Sequence, residues 1–87
     1  KVLRIMKILL SSIAKNDIRL LMRVFGAENK QKGIDFIESL KTSINSIAEQ
    51  PGKPEKISIC SMRDFPVTIH YVFENEETLF VTAIFRK

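Results

Sequence analysis

Sulfur and imidazole are scarce in this chain. Cys60 is the one cysteine among 87 residues, so no disulfide can close within it. A domain this small that does without disulfides belongs to a reducing compartment, and a cytoplasmic location is expected. His70 is the one histidine, which leaves neither a histidine set nor a cysteine pair to hold a metal. No metal and no cofactor are expected. Gly26, Gly33 and Gly52 are too dispersed for a phosphate-binding loop and suit caps and turns instead. The longest apolar run is far short of the roughly 20 residues of a membrane span, so no membrane partner is expected. There are no internal repeats and no low-complexity tracts.

The N-terminal stretch has the mixture of basic and apolar residues found in secretion signals. Arg4 and Lys7 interrupt its apolar run, however, and no small-residue cleavage site follows, so a strand is the better reading. The chain opens on Lys1, and Met6 is a candidate natural start.

What is present suits one folded domain, residues 1–87. Apolar residues make up 45%, enough for a core and too many for a disordered tail. A chain of this length buries only about 60–65% of its unfolded surface, so the core has to be used economically. The net charge of +4 is unevenly placed. Residues 1–32 carry eight basic side chains (Lys1, Arg4, Lys7, Lys15, Arg19, Arg23, Lys30, Lys32) against Asp17 and Glu28, a net +6. Residues 33–87 carry six basic and eight acidic ones, a net −2. A basic first third favours an acidic partner, protein or nucleic acid.

The hydrophobic pattern divides the chain into six elements. Residues 7–10 read as a short buried strand, with an extension back to Val2 as the longer reading. Ser11 and Ser12 can each cap a helix, because a hydroxyl accepts from the free amides of a first turn. A helix over 13–25 follows, with Ile13, Ala14, Ile18, Leu21, Val24 and Phe25 at helical spacing. Gly26 is its expected C-cap and residues 27–32 a polar connection. A second helix is expected over 33–50, its apolar stripe made of Phe36, Ile37, Leu40, Ile44, Ile47 and Ala48. Pro51-Gly52 ends it. The period then shifts from 3.6 to 2. Strands are expected over 57–60, 67–73 and 78–85, with turns at 61–66 and 74–77. Two amphipathic helices joined by a short link imply an antiparallel hairpin, and the element order implies an α+β domain with the helices on one face of a sheet.

Four segments carry more than pattern. They are Ser11-x-x-Ala14-x-x-Asp17-Ile18, Gly33-x-x-Phe36-x-x-x-Leu40-x-x-x-Ile44-x-x-Ile47-x-x-x-Pro51, Phe65-Pro66-x-x-Ile69-x-Tyr71 and Leu79-x-Val81-x-Ala83-Ile84-Phe85. In this order, and across nearly the whole chain, they resemble the RelE/ParE toxin superfamily of bacterial toxin–antitoxin systems. The resemblance implies a β-α-α-β-β-β fold, a helical hairpin packed on a small antiparallel sheet. It also implies a type II toxin that arrests growth, stabilises plasmids and is held inactive by a cognate antitoxin, with which it forms an oligomer. Such antitoxins wrap a flexible segment around the toxin, which makes the sheet edges and the groove beside the hairpin the expected antitoxin surface.

Two branches of the superfamily remain open. A RelE-like toxin is a ribosome-dependent mRNA endoribonuclease. It needs convergent cations and a proton-transfer group around a ribose hydroxyl and a phosphate. The candidates are Arg63, His70, Arg86 and Lys87, with Lys56 and Tyr71 beside them. Val67 stands where members often have an aromatic residue after Phe-Pro. Ser58 and Cys60 occupy a strand where many carry a basic one, and Arg86-Lys87 stand where many continue into a His- or Arg-bearing tail. With that set incomplete, the ParE-like branch fits better: a non-enzymatic inhibitor of DNA gyrase. A degenerate member that binds antitoxin without toxicity is the third reading.

Lys15, Arg19 and Arg23 recur every four residues and form a basic stripe on the first helix. The stripe is either a docking surface for an acidic target or a solvated helix face. His70, flanked by Ile69 and Tyr71, is expected to face away from the helices. Cys60 is expected to be a buried structural thiol; Met22 either forms part of a partner groove or, as the simpler assignment, fills the core.

Overall fold

The computed structural model describes residues 7–49 and 56–87. Strand β1 (Lys7–Leu10) leads into helices α1 (Ser12–Glu28) and α2 (Lys30–Glu49). Strands β2 (Ile57–Ser61), β3 (Val67–Asn75) and β4 (Thr78–Arg86) follow. The order β-α-α-β-β-β is the expected one. The possible extension of β1 to Val2 and the Pro51-Gly52 stop lie outside the described residues.

The sheet order is β1-β4-β3-β2. The β2–β3 and β3–β4 pairs are antiparallel, as expected, whereas β1 lies parallel to β4. The sheet is therefore mixed. A parallel neighbour needs a long crossover, and the chain between β1 and β4 supplies one through the hairpin and two strands.

β1 covers β4 only from Thr78 to Val81. Helix α1 covers the edge beyond that point. The Ser11 backbone N–H donates to the Val81 carbonyl at 3.0 Å, and the Ser11 hydroxyl donates to the Thr82 carbonyl at 2.7 Å. The same hydroxyl accepts from the Ala14 N–H at 2.9 Å, which makes Ser11 the N-cap of α1. One turn on, Asp17 Oδ2 accepts from the Ile84 N–H at 3.0 Å.

Both helices run longer than the sequence pattern suggests, and only Asn29 separates them. Asn29 is extended and its N–H returns to the Phe25 carbonyl, so it takes over the capping role expected of Gly26. Its side chain accepts from the Gln31 N–H at the start of α2. Gly26 lies inside α1, against Gly33 of α2. A Cβ on Gly33 would sit 3.0 Å from the Gly26 Cα and 3.1 Å from the Met22 carbonyl oxygen. One on Gly26 would sit 4.0 Å from the Gly33 Cα, an ordinary contact. Gly33 is what lets the two backbones approach so closely.

The core fills the space between hairpin and sheet. Phe36, Leu40, Ile44 and Ile47 bury as expected, facing Val67, Ile69, Phe73, Leu79, Val81 and Ile84. At the end of the hairpin Phe25, Phe36 and Phe65 form a triangle with ring centroids 5.0–5.5 Å apart. Other apolar residues expected on core faces lie outside. Ile13, Val24 and Met22 are exposed on α1, because the buried arc there is the narrow one of Ala14, Leu21 and Phe25. On β2 it is Ile57 and Ile59 that face solvent.

The β3–β4 register shifts between His70/Ala83 and Tyr71/Val81, which leaves Thr82 as an extra residue in β4. Strict alternation from Leu79 and Val81 would next bury Ala83 and Phe85. The bulge instead turns Ile84 inward and leaves Phe85 half exposed.

Two expectations follow. Gly33→Ala should lower unfolding free energy by about 1–3 kcal/mol, since its Cβ meets backbone that cannot rotate away. Gly26→Ala should be neutral or stabilise by up to about 1 kcal/mol through helix propensity, and urea melts of both variants resolve the sign. Asp17→Ala should cost about 1–3 kcal/mol by orphaning the Ile84 amide. In hydrogen exchange that amide should lose protection ahead of its β4 neighbours, and uniform loss along β4 would contradict the edge-covering role.

Candidate functional site

The residues considered for RNA cleavage do not converge. His70 lies on the helix-free face of the sheet, half buried, across from Ile59 and Ala83. Its ring meets Phe85 edge-on at 4.7 Å, and Nε2 is 3.4 Å from the Thr68 hydroxyl. Arg86 follows the bulge and lies toward the helices. Its guanidinium carbon is 5.6 Å from the centroid of Phe25, whose ring belongs to the aromatic triangle. Arg63 is on the turn after β2 and lines a groove of about 640 Å³ between α2 and the β2 side of the sheet. Lys87 is exposed, its backbone N–H donating to the Pro66 carbonyl at 2.7 Å. Lys56 is exposed at the start of β2.

The proton-transfer candidate and two of the cations thus occupy three surfaces: the open sheet face, the hairpin tip and the α2 groove. A single phosphate cannot touch all three. The groove is also the wrong environment for RNA. Besides Arg63 it holds Asp35, Glu38 and Asp64 with the hydroxyl-bearing Ser39, Thr42, Ser43 and Ser46, and its carboxylates would repel a phosphate backbone. Tyr71 and Cys60 line the same groove, half buried and packed against the core. Cys60 is therefore less buried than expected, with Sγ 3.6 Å from the Ser61 carbonyl. Among the described residues no cluster of metal-ligating side chains occurs, and no helix is long and apolar enough to cross a membrane.

Arg86 is part of a small brace at the hairpin tip. Lys32 Nζ lies 5.8 Å from the centroid of the same Phe25 ring and 2.7 Å from Glu28 Oε1. The hydrogen bond from Lys32 and its charge hold the Glu28 carboxyl below the ordinary carboxylate value, and Arg86 adds to this. A lowered folded-state value contributes stability that is present above the unfolded value and lost as pH falls through the folded one. Lys32→Met keeps the apolar cover on Phe25 and removes the pair. Its thermal midpoint should lie slightly below the parent's at neutral pH and merge with it in acid.

The basic stripe has the geometry its spacing implies. Lys15, Arg19 and Arg23 are exposed along α1, and none has a carboxylate partner among the described residues. The one salt bridge described is Lys32–Glu28.

No protein-family model matches the sequence, and no curated protein matches it either. Among solved structures, a chain of the chromosomal ParDE toxin–antitoxin system from P. aeruginosa superimposes with a TM-score of 0.75. The match covers 94% of this chain and 96% of that one at 10% sequence identity. At that identity the likeness is one of fold, and the chain accordingly has the RelE/ParE-type fold that its ordered sequence segments resemble.

Proposed function

We propose that this chain is the toxin of a type II toxin–antitoxin pair and acts in the ParE manner, by binding DNA gyrase and inhibiting it without cutting RNA. The scattering of Arg63, His70 and Arg86 over three surfaces carries the choice of branch. A nuclease must bring its cations and proton carrier to one phosphate, whereas a binding inhibitor needs only a surface. The fold shared with a chain of a ParDE system supports the toxin–antitoxin setting. The surface available to an acidic target is the stripe of Lys15, Arg19 and Arg23.

A cognate antitoxin would hold the toxin silent. The open edge of β2 and the groove beside α2 suit a wrapping segment, since an added strand satisfies the unpaired backbone groups of an edge.

Purified chain in a gyrase supercoiling assay tests this reading. Arg19→Glu combined with Arg23→Glu should weaken inhibition by about tenfold or more while the thermal midpoint stays close to the parent's. Arg63→Ala combined with Arg86→Ala should leave inhibition in place. Full inhibition by the charge-reversed variant would remove the stripe from the target surface. Codon-dependent mRNA cleavage on ribosomes, abolished by the Arg63 and Arg86 double variant, would move the chain to the RelE type.

A further inference from the structure

The helices cover one face of the sheet and leave the other open. On the open face the strand registers line up one apolar residue from each strand in a single row: Leu9 of β1, Phe80 of β4, Val72 of β3 and Ile57 of β2. Ile59, His70 and Ala83 form the next row along the strands. Phe85 follows, its ring edge-on to His70 at 4.7 Å. Alternation sends the charged residues of this face to its ends. Lys7, opposite Thr78, and Glu74, two residues beyond Val72, lie by the β3–β4 turn, and Lys87 lies beyond Phe85.

This face is more open than a core and more apolar than an ordinary strand surface. Ile57 is 70% exposed, Ile59 62%, Phe85 50% and Leu9 37%. At roughly 180 Å² for a fully open side chain of this size, these four leave about 400 Å² of each copy in contact with water. Phe80 and Val72, partly buried, continue the patch between them. Two such faces pressed together would hide about 800 Å² from the four residues alone. Their partly buried neighbours bring the total to the roughly 1,000–1,200 Å² at which specific but weak interfaces begin.

We infer that the open sheet face is a self-association surface, on which a second copy of this chain packs sheet against sheet. A two-fold contact uses one patch twice, so the patch must match itself. The row across the strands meets that condition. A two-fold axis running along the strands sets Leu9 against the partner's Ile57 and Phe80 against the partner's Val72. The same axis keeps Lys7 at the end that carries the partner's Glu74, where opposite charges face each other. The two sheets then interdigitate as in a β-sandwich, about 10 Å apart. A nucleic acid would find no cation in the middle rows to meet its phosphates. The stripe on α1 and the groove beside α2 lie on the other side of the sheet, so both stay accessible in such a pair.

Sedimentation velocity on the full chain, from about 5 to 500 µM, tests the inference in the range where weak interfaces associate. The mean mass should climb from one chain toward two. Ile57→Glu combined with Ile59→Glu should raise the concentration at half-association by about tenfold or more. Met22→Ser, on the opposite side of the molecule, should leave association unchanged. Amide NMR shifts of the parent chain on dilution give a readout that needs no variant. They should move at Leu9, Ile59, His70 and Phe85 and stay fixed at Arg19 and Met22. A chain that remains monomeric throughout, a dimer that survives both glutamates, or dilution shifts confined to the hairpin would each overturn the inference. None of these readouts involves gyrase, so the inference and the toxin reading can fail separately.

Discussion

The close approach of two helices at Gly33 is the constraint on which the rest of this molecule depends. A Cβ there would meet the backbone of α1 at 3.0–3.2 Å. With hydrogen in its place the helices pack tightly and turn through the single residue Asn29. That brings Phe25 and Phe36 together at the tip, where Phe65 closes the triangle from the β2–β3 turn.

The second constraint is the extra residue at Thr82. Its carbonyl accepts from the Ser11 hydroxyl, and its own hydroxyl donates to the His70 carbonyl at 3.2 Å. The bulge is thereby tied to the N-terminus of α1 and to β3. By shifting the alternation it buries Ile84, turns Phe85 outward against His70 and sends Arg86 toward Phe25. One inserted residue therefore separates His70 from Arg86 across the thickness of the sheet. His70 packs on Phe85 on the open face and Arg86 over Phe25 on the helix side, so the two groups do not meet on one face.

Much of this was legible in the sequence, for identifiable reasons. The buried row of Phe36, Leu40, Ile44 and Ile47 announces α2, and the change of period after Pro54 announces the strands. Ser11 announces the start of α1. The ordered segments from Ser11 to Phe85 pointed to the RelE/ParE-type fold that the superposition supports. The role of Gly33 was not legible, because a glycine at a helix start looks the same whether it caps or permits contact. The bulge was equally hidden, since Ala83-Ile84-Phe85 reads as continuous strand and only pairing with β3 reveals the register shift. The parallel placement of β1 is a tertiary choice. Exposed Ile13, Met22 and Val24 look like core residues in sequence, because hydrophobicity alone does not say how wide the buried arc of a helix is. Lys15, Arg19 and Arg23 were visible as a stripe.

The central claim is that this fold acts by binding rather than by cutting RNA. Induced expression of the chain in bacteria, with growth, plasmid supercoiling and mRNA ends followed in one culture, tests it most directly. Growth arrest with relaxed plasmid, a DNA-damage response and intact mRNA is the predicted result. Arrest accompanied by ribosome-bound mRNA cleaved at codon boundaries, with supercoiling unchanged, would contradict it.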